Sequence, residues 1–356
     1  MGNRIKVLIA EDSVTVRQRI AGVIAREQDM AVVGEAADGK RAIELCLAQR
    51  PDVITLDMMM PVVSGLAATE YIMAFCPTPI VIVSGSADRG EVFRTYDALA
   101  AGALDVLEKP RPDEALDAWD RKLVDTVRVA SRVRVITHPR GRLRSARDFD
   151  LSAMAGTPDL SLAGDGPRVV AIGASTGGPK AIVDILQSLP RDFQLPILIV
   201  THISEAFSAG FVDWLSANSP LPVRMARQDD LVQGPGVLVA PSERHMILNG
   251  TRLQLTQDVP RHSCRPSVDV LFDSLARHSG RNAIGILLTG MGRDGADGLL
   301  AIRRAGGVTV AQDEASSVIF GMPGEAVRLG AAAHVLPPAG IGAFLRAVPA
   351  AEMRPR

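Results

Sequence analysis

Short apolar runs alternate with helically spaced segments along most of this chain, and that alternation limits the folds open to it more than any other feature. In residues 1–125 the runs at 6–10, 31–35, 53–56, 80–83 and 104–107 are strand candidates. The segments between them carry apolar residues at helical spacing, as in Val16, Ile20, Val23 and Ile24. Repeated βα units of this kind predict a five-stranded parallel sheet with helices on both faces. Such sheets gather their functional groups at the carboxyl ends of the strands.

A second α/β pattern occupies residues 168–356, with strand candidates at 169–173, 197–201, 236–240, 246–249, 252–256, 283–288 and 308–311. It predicts a doubly wound α/β domain. The cluster from 236 to 256 is expected to form antiparallel hairpins, with Asn249-Gly250 as a turn. Between the halves, residues 126–167 are expected to be a basic flexible linker. Thr126 to Arg147 holds seven arginines and no acid, and Pro139, Gly141, Gly156, Pro158, Gly164, Gly166 and Pro167 interrupt the segment. Its charge could contact an acidic partner, but a solvated connector is the favoured reading.

A chain of 356 residues has room for two ordinary domains. A net charge of −1 argues against a dedicated nucleic-acid binder. Cys46, Cys76 and Cys264 are few, odd in number and widely spaced, which indicates neither a disulfide framework nor a zinc cluster. No apolar run has the length of a membrane span, and the amino terminus has no signal-peptide character. A cytoplasmic protein without membrane insertion is expected.

Four strand ends in the first half carry chemistry. The first ends in Glu11-Asp12, the third in Asp57 followed by Met-Met-Met-Pro61, the fourth in Ser84-Gly-Ser86 and the fifth in Glu108-Lys109-Pro110. All project from one sheet edge, so three carboxylates, a hydroxyl and an ammonium should converge. Glu11, Asp12 and Asp57 would repel one another unless a hard divalent cation such as Mg²⁺ joined them. A phosphoryl group on Asp57 would meet that ion, Lys109 and the Ser84 hydroxyl.

In the second half, Gly173-Ala-Ser175-Thr-Gly177 follows an apolar run and precedes Pro179, which suits the first turn of a helix. The pattern fits a nucleophile elbow that lifts a serine hydroxyl beside a helix start. A glycine-rich phosphate loop is the competing reading. An elbow serine needs a base and a carboxylate. His202 ends the strand after the elbow helix, and right-handed crossover places that strand beside the serine strand, within hydrogen-bond reach. His138 lies in the linker, and His278 lies at a helix end. Asp294 and Asp297 are the carboxylate candidates. Asp294 lies nearer its strand end, although it could instead cap the helix expected at Ala296–Arg304.

The first half resembles the receiver domain of two-component response regulators, which are flavodoxin-like, in its acidic pair, Asp57, Ser84 and Lys109-Pro110. The resemblance implies that a histidine kinase of the chemotaxis type phosphorylates Asp57 with Mg²⁺. It also makes Ser84 and Lys109 the switch residues. Val106 departs from the pattern, since receivers often carry an aromatic there. In the second half Gly-Ala-Ser-Thr-Gly-Gly, His202, Arg265-Pro-Ser-Val-Asp-Val-Leu-Phe272, Leu288-Thr-Gly-Met-Gly-x-Asp-Gly, Ala311-Gln-x-Glu-Ala-Ser316 and Phe320-Gly-Met-Pro323 resemble the chemotaxis protein-glutamate methylesterases. That resemblance implies a Ser175–His202–Asp294 triad with no cofactor of its own. It also implies hydrolysis of glutamate γ-methyl esters on the cytoplasmic domain of methylated chemoreceptors, with glutamine deamidation as a second activity. Thr201-His202-Ile203-Ser204 departs from the family's Gln-His-Met-Pro, leaving the receptor, and whether the pathway serves flagellar taxis, open.

Overall fold

A computed structural model describes residues 4–85, 89–110, 116–133, 135 and 169–348. The chain divides into two compact units, Met1–Leu143 and Arg144–Arg356.

The first unit alternates β1 (Ile5–Ala10), α1 (Val14–Arg26), β2 (Met30–Ala36), α2 (Gly39–Gln49), β3 (Val53–Leu56), α3 (Gly65–Phe75), β4 (Ile80–Ser84), α4 (Arg89–Ala100), β5 (Asp105–Glu108) and α5 (Leu116–Ala130). Its five strands are all parallel, in the order β2-β1-β3-β4-β5. Strand order reverses between β1 and β3, which opens a crevice above their carboxyl ends. The helices start where the sequence offers a cap. Ser13, Asp38 and Ser64 accept backbone N–H groups from the first turns of α1, α2 and α3. Helix α1 then turns Ile20, Val23 and Ile24 onto the sheet. Helix α5 runs to Ala130, so the first residues of the expected linker are helical, and Trp119 anchors α5 by donating its indole N–H to the Glu108 carbonyl at 2.7 Å. The linker residues 136–167 lie outside the described residues.

The second unit runs β6 (Val169–Ala174), α6 (Gly178–Ser188), β7 (Pro196–Thr201), α7 (Glu205–Asn218), β8 (Val223–Met225), β9 (Gly236–Val239), β10 (His245–Asn249), β11 (Arg252–Thr256), α8 (Val268–His278), β12 (Ala283–Leu287), α9 (Ala296–Arg304), β13 (Val308–Gln312), α10 (Met322–Arg328), β14 (His334–Leu336) and α11 (Pro338–Ala347). Seven strands form a parallel sheet ordered β14-β13-β12-β6-β7-β9-β8, and β10 and β11 form a separate antiparallel hairpin. The expected antiparallel cluster at 236–256 is therefore only half right. β9 pairs parallel with β7 and β8, because its residues Val237, Leu238 and Val239 are buried within the main sheet. Strands β8 and β14, three residues each, are too short to leave a periodic signal.

All six residues of β6 are buried, as a central parallel strand requires. The chain builds outward from β6 through β7 on one side and returns through β12 on the other, so the reversal of order falls at β6. Helix α8 lies over this point. Its Val268, Leu271, Phe272 and Leu275 join one core with Leu248 and Leu253 of the hairpin and Leu287 and Leu299 beneath.

Candidate active site and phosphorylation site

Register places the serine and the histidine side by side. Ala174 of β6 pairs with Thr201 of β7, so Ser175 and His202 leave the same sheet edge on neighbouring strands, about 4.8 Å apart in strand spacing. The His202 N–H donates to the Ala174 carbonyl at 3.3 Å. Beyond β6 the chain turns sharply: Ser175 N–H donates to the Thr289 carbonyl at 3.0 Å, and Gly178 N–H donates to the Ser175 carbonyl at 2.7 Å. Gly177, at φ 78° and ψ −6°, holds the left-handed position of this turn. A Cβ there would lie 2.6 Å from Val318, so space as well as φ requires glycine. Helix α6 starts at once, with Pro179 in its first turn.

The carboxylate beside His202 is Asp294. His202 Nε2 lies 2.9 Å from Asp294 Oδ2. The same carboxylate accepts the Ser267 hydroxyl at 2.7 Å and the backbone N–H groups of Val268 and Asp269 at 2.8 and 3.1 Å. Asp294 thus caps α8, not its own helix α9. In return Asp269, in the first turn of α8, accepts the N–H of Gly298 in α9 at 2.6 Å. Two buried carboxylates thereby lock two helix starts together beneath the histidine. Asp297, the other candidate, points elsewhere and pairs with Arg293 at 2.8 Å on the exposed side of α9.

Electrostatics follow from this cage. Burial opposes a charged His202 ring, but the hydrogen bond to Asp294, with Cys264 adding to it, overrides burial and pushes the imidazole up to about 9. Burial likewise favours a neutral Asp294, yet the His202 ring and the Ser267 hydroxyl hold its carboxyl below the ordinary value. An ionised Asp294 makes Nε2 the protonated nitrogen and leaves Nδ1 to act as base. Nδ1 lies 3.8 Å from the Cys264 sulfur, and Ser175 makes no side-chain hydrogen bond to the ring. The expected serine–imidazole bond is thus not formed here, and the Cys264 thiol stands beside Nδ1. Another histidine, His245, is buried and structural: Nδ1 accepts the Ser267 N–H at 3.2 Å and Nε2 donates to the Val259 carbonyl at 3.2 Å.

In the first unit Glu11, Asp12 and Asp57 bring their oxygens within 4.8 Å of one another at the β1/β3 crevice. Lys109 reaches both Glu11 Oε2 at 3.1 Å and Asp57 Oδ1 at 3.0 Å. Burial and the nearby Asp57 push Glu11 up to about 7, with Lys109 offsetting part of the rise. Burial also raises Asp57 against the pull of Lys109. Asp57 Oδ2 is buried without a hydrogen-bond partner. One cation therefore does not satisfy this cluster, and the oxygen donors with an orphaned atom among them fit Mg²⁺. Ser84 ends β4 next to Lys109, whose N–H donates to the Ser84 carbonyl at 2.9 Å. Its hydroxyl, however, donates to Glu91 Oε1 of α4 at 2.7 Å and also bonds the Thr95 hydroxyl at 3.0 Å. Val106 lies half-buried in β5, paired with Ile82.

Comparison with known proteins gives the family. The profile of the response regulator receiver domain matches residues 7–119, and that of CheB methylesterase matches residues 170–345. A protein-glutamate methylesterase/protein-glutamine glutaminase of Nitrosospira multiformis is 46% identical over 346 residues, covering 96% of each chain. The chain belongs to the CheB methylesterase family. A Geobacter metallireducens protein of the same name, numbered 4, is 43% identical over 94% of this chain and 96% of its own. The crystal structure of the Thermotoga maritima CheB methylesterase catalytic domain is 32% identical, covers 51% of this chain and 98% of that one, and has a TM-score of 0.49.

Within this CheB-family chain the structure brings Ser175, His202 and Asp294 to one sheet edge, and Glu11, Asp12, Asp57 and Lys109 to another. The Ser84 hydroxyl is held by Glu91 and Thr95 instead. The sequence reading assigned no role to Ser267, Asp269 or Cys264. Ser267 had a signal, since serine before the apolar Val268–Leu275 stretch marks a helix cap. Nothing local shows that its hydroxyl also serves a carboxylate 27 residues away.

Proposed function

We propose that this enzyme hydrolyses glutamate γ-methyl esters on the cytoplasmic domains of chemoreceptors and deamidates glutamines by the same route. The observation that carries the reading is the pair of half-buried His202 and buried Asp294 at the sheet edge where the elbow turn presents Ser175. His202 Nδ1 takes the Ser175 proton as the hydroxyl attacks the ester carbonyl, and Asp294 holds the ring and stabilises its charged form. The N–H groups of Ser175 and Gly178 are committed to carbonyls, so the oxyanion falls to other donors of the turn at the positive end of α6. Methanol or ammonia leaves with the proton from His202, and water then cleaves the acyl-serine. Methylated receptor membranes incubated with wild type should release methanol, and Ser175→Ala should bring release to background in a folded protein. More than a few per cent residual rate removes Ser175 from the chemistry.

A histidine kinase supplies phosphate to Asp57 under this reading. Glu11, Asp12 and Asp57 would hold Mg²⁺, which offsets the charge of the phosphoryl oxygens. Lys109 stands ready to pair with the phosphoryl group, and Ser84 has to leave Glu91 to reach it. Relief of receiver-imposed inhibition then turns this local change into esterase activity.

A further inference from the structure

Cys264 stands against the one ring nitrogen that the esterase reading needs as a base. Asp294 Oδ2, His202 Nε2, His202 Nδ1 and Cys264 Sγ follow one another at 2.9 Å and 3.8 Å across the imidazole. The thiol has its own acceptor on the other side, the His262 carbonyl at 3.4 Å. A nucleophile, an imidazole and an orienting carboxylate in this sequence form a proton path from sulfur to ring.

The placement is built into the backbone. Arg261 and Cys264 exchange N–H donations to each other's carbonyls at 3.1 and 2.9 Å around His262 and Ser263, whose φ values are 52° and 61°. Two consecutive left-handed residues define a tight primed turn. Side chains pin that turn on both sides. His262 bonds Asp269 at 2.9 Å, Arg261 bonds Asp273, and Arg265 bonds Glu243 at 2.8 Å. The turn therefore hangs from the start of α8, which Asp294 caps, so Cys264 and Asp294 share one anchor. The other two thiols, Cys46 at 0% and Cys76 at 2% exposure, are sealed in the receiver, while Cys264 is partly open to solvent.

We propose that Cys264 is a modification site of the esterase centre, where His202 draws the thiol proton and an electrophile captured by the sulfur disables the imidazole that serves Ser175. In the probe reaction with iodoacetamide, the thiol proton sits on Nδ1 as part of the charged ring, and the sulfur paired with it attacks the methylene carbon. An S–C bond forms as the C–I bond breaks, iodide leaves, and the proton remains on the ring. The resulting thioether fills the space beside Nδ1. The loss of hydrolysis rests on the esterase reading, whereas the thiol–imidazole chemistry does not.

Full-length protein treated with iodoacetamide at neutral pH should gain one adduct, on Cys264 by peptide mass. Methanol release should fall at least tenfold in step with it. Cys264→Ala should gain no adduct and hydrolyse ester at a rate the reagent no longer changes. Ser175→Ala should alkylate as fast as wild type. His202→Gln should alkylate at least tenfold more slowly, with Cys46 and Cys76 still unreacted as proof of a closed fold. Equal alkylation rates in wild type and His202→Gln overturn the proposal, and so does full alkylation that spares hydrolysis. If Ser175→Ala stays active, the esterase reading fails whatever the alkylation shows. If Cys264→Ala alone abolishes hydrolysis, Cys264 is the nucleophile and both readings fall.

Discussion

Replacing Asp294 by asparagine tests the cage around the histidine, because stability and rate should fall together. The substituted amide would offer one acceptor oxygen where four donors now converge: His202 Nε2, the Ser267 hydroxyl, and the Val268 and Asp269 N–H groups. In one orientation the new amide N–H₂ faces Val268 N–H and forces Nε2 to accept, which puts the ring hydrogen on Nδ1 and removes the base. In the other it faces Asp269 N–H, and the ring keeps its tautomer but loses the charge that stabilises imidazolium. Either way one buried N–H at the start of α8 loses its acceptor, at about 1–3 kcal/mol. Loss of the carboxylate at that helix end adds about 1 kcal/mol. The sum, roughly 2–4 kcal/mol, should lower the melting temperature by roughly 5–10 °C in a unit of this size. The turnover of the folded fraction should fall at least about a hundredfold, the lower range for a lost general base. Asp297→Asn, in which an exposed pair with Arg293 is lost, should leave both the melting temperature and the turnover near wild type. Thermal melts alongside methanol release, with rates normalised to folded protein, measure both quantities. An Asp294→Asn enzyme within threefold of wild-type turnover, or a larger effect at Asp297, would refute the reasoning.

The His202 ring is charged below about 9, so ester hydrolysis should climb with pH towards that value. Because its folded value lies above 6.5, the pair's stabilisation is complete below 6.5 and is lost as pH rises through about 9; on the order of 3 kcal/mol is involved. A rate plateau reached by pH 7 contradicts this. Glu11 behaves in the same sense, with receiver stability falling as pH rises from 4.5 through about 7. Mg²⁺ should therefore raise the receiver's melting temperature more at pH 8 than at pH 6, and equal shifts at both count against the cluster as its site. Phosphodonor with Mg²⁺ should place one base-labile phosphate on the chain and none on Asp57→Asn. The fragment 168–356 should hydrolyse ester faster than the untreated full chain, and phosphodonor should accelerate only the full chain. A fragment no faster than the intact protein excludes inhibition by occlusion.

Much of this was legible before any coordinates. The spacing of apolar runs located every receiver strand to within about two residues, as the β1 to β5 bounds show. Ser175, His202 and Asp57 stood out because turn chemistry and strand ends are local signals. The strand at Gly236–Val239 was misjudged because neighbourhood in sequence to a true hairpin suggested antiparallel pairing. Its burial inside the main sheet, beside β7, decided otherwise.

The sequence by itself determined the alternation of elements, the division into two α/β halves and the residue types at the strand ends, since these depend on contacts within a few residues. Only the tertiary structure decided which groups meet. His202 and Asp294 are 92 residues apart, and His202 and Cys264 are 62 apart. Whether such groups touch depends on how helices α8 and α9 cap each other and on how one tight turn hangs from α8. Likewise Glu91 takes the Ser84 hydroxyl because the first turn of α4 packs over the end of β4. Pattern fixes the direction of a side chain from its own strand or helix, but the packing of one element on another fixes what that side chain finds there.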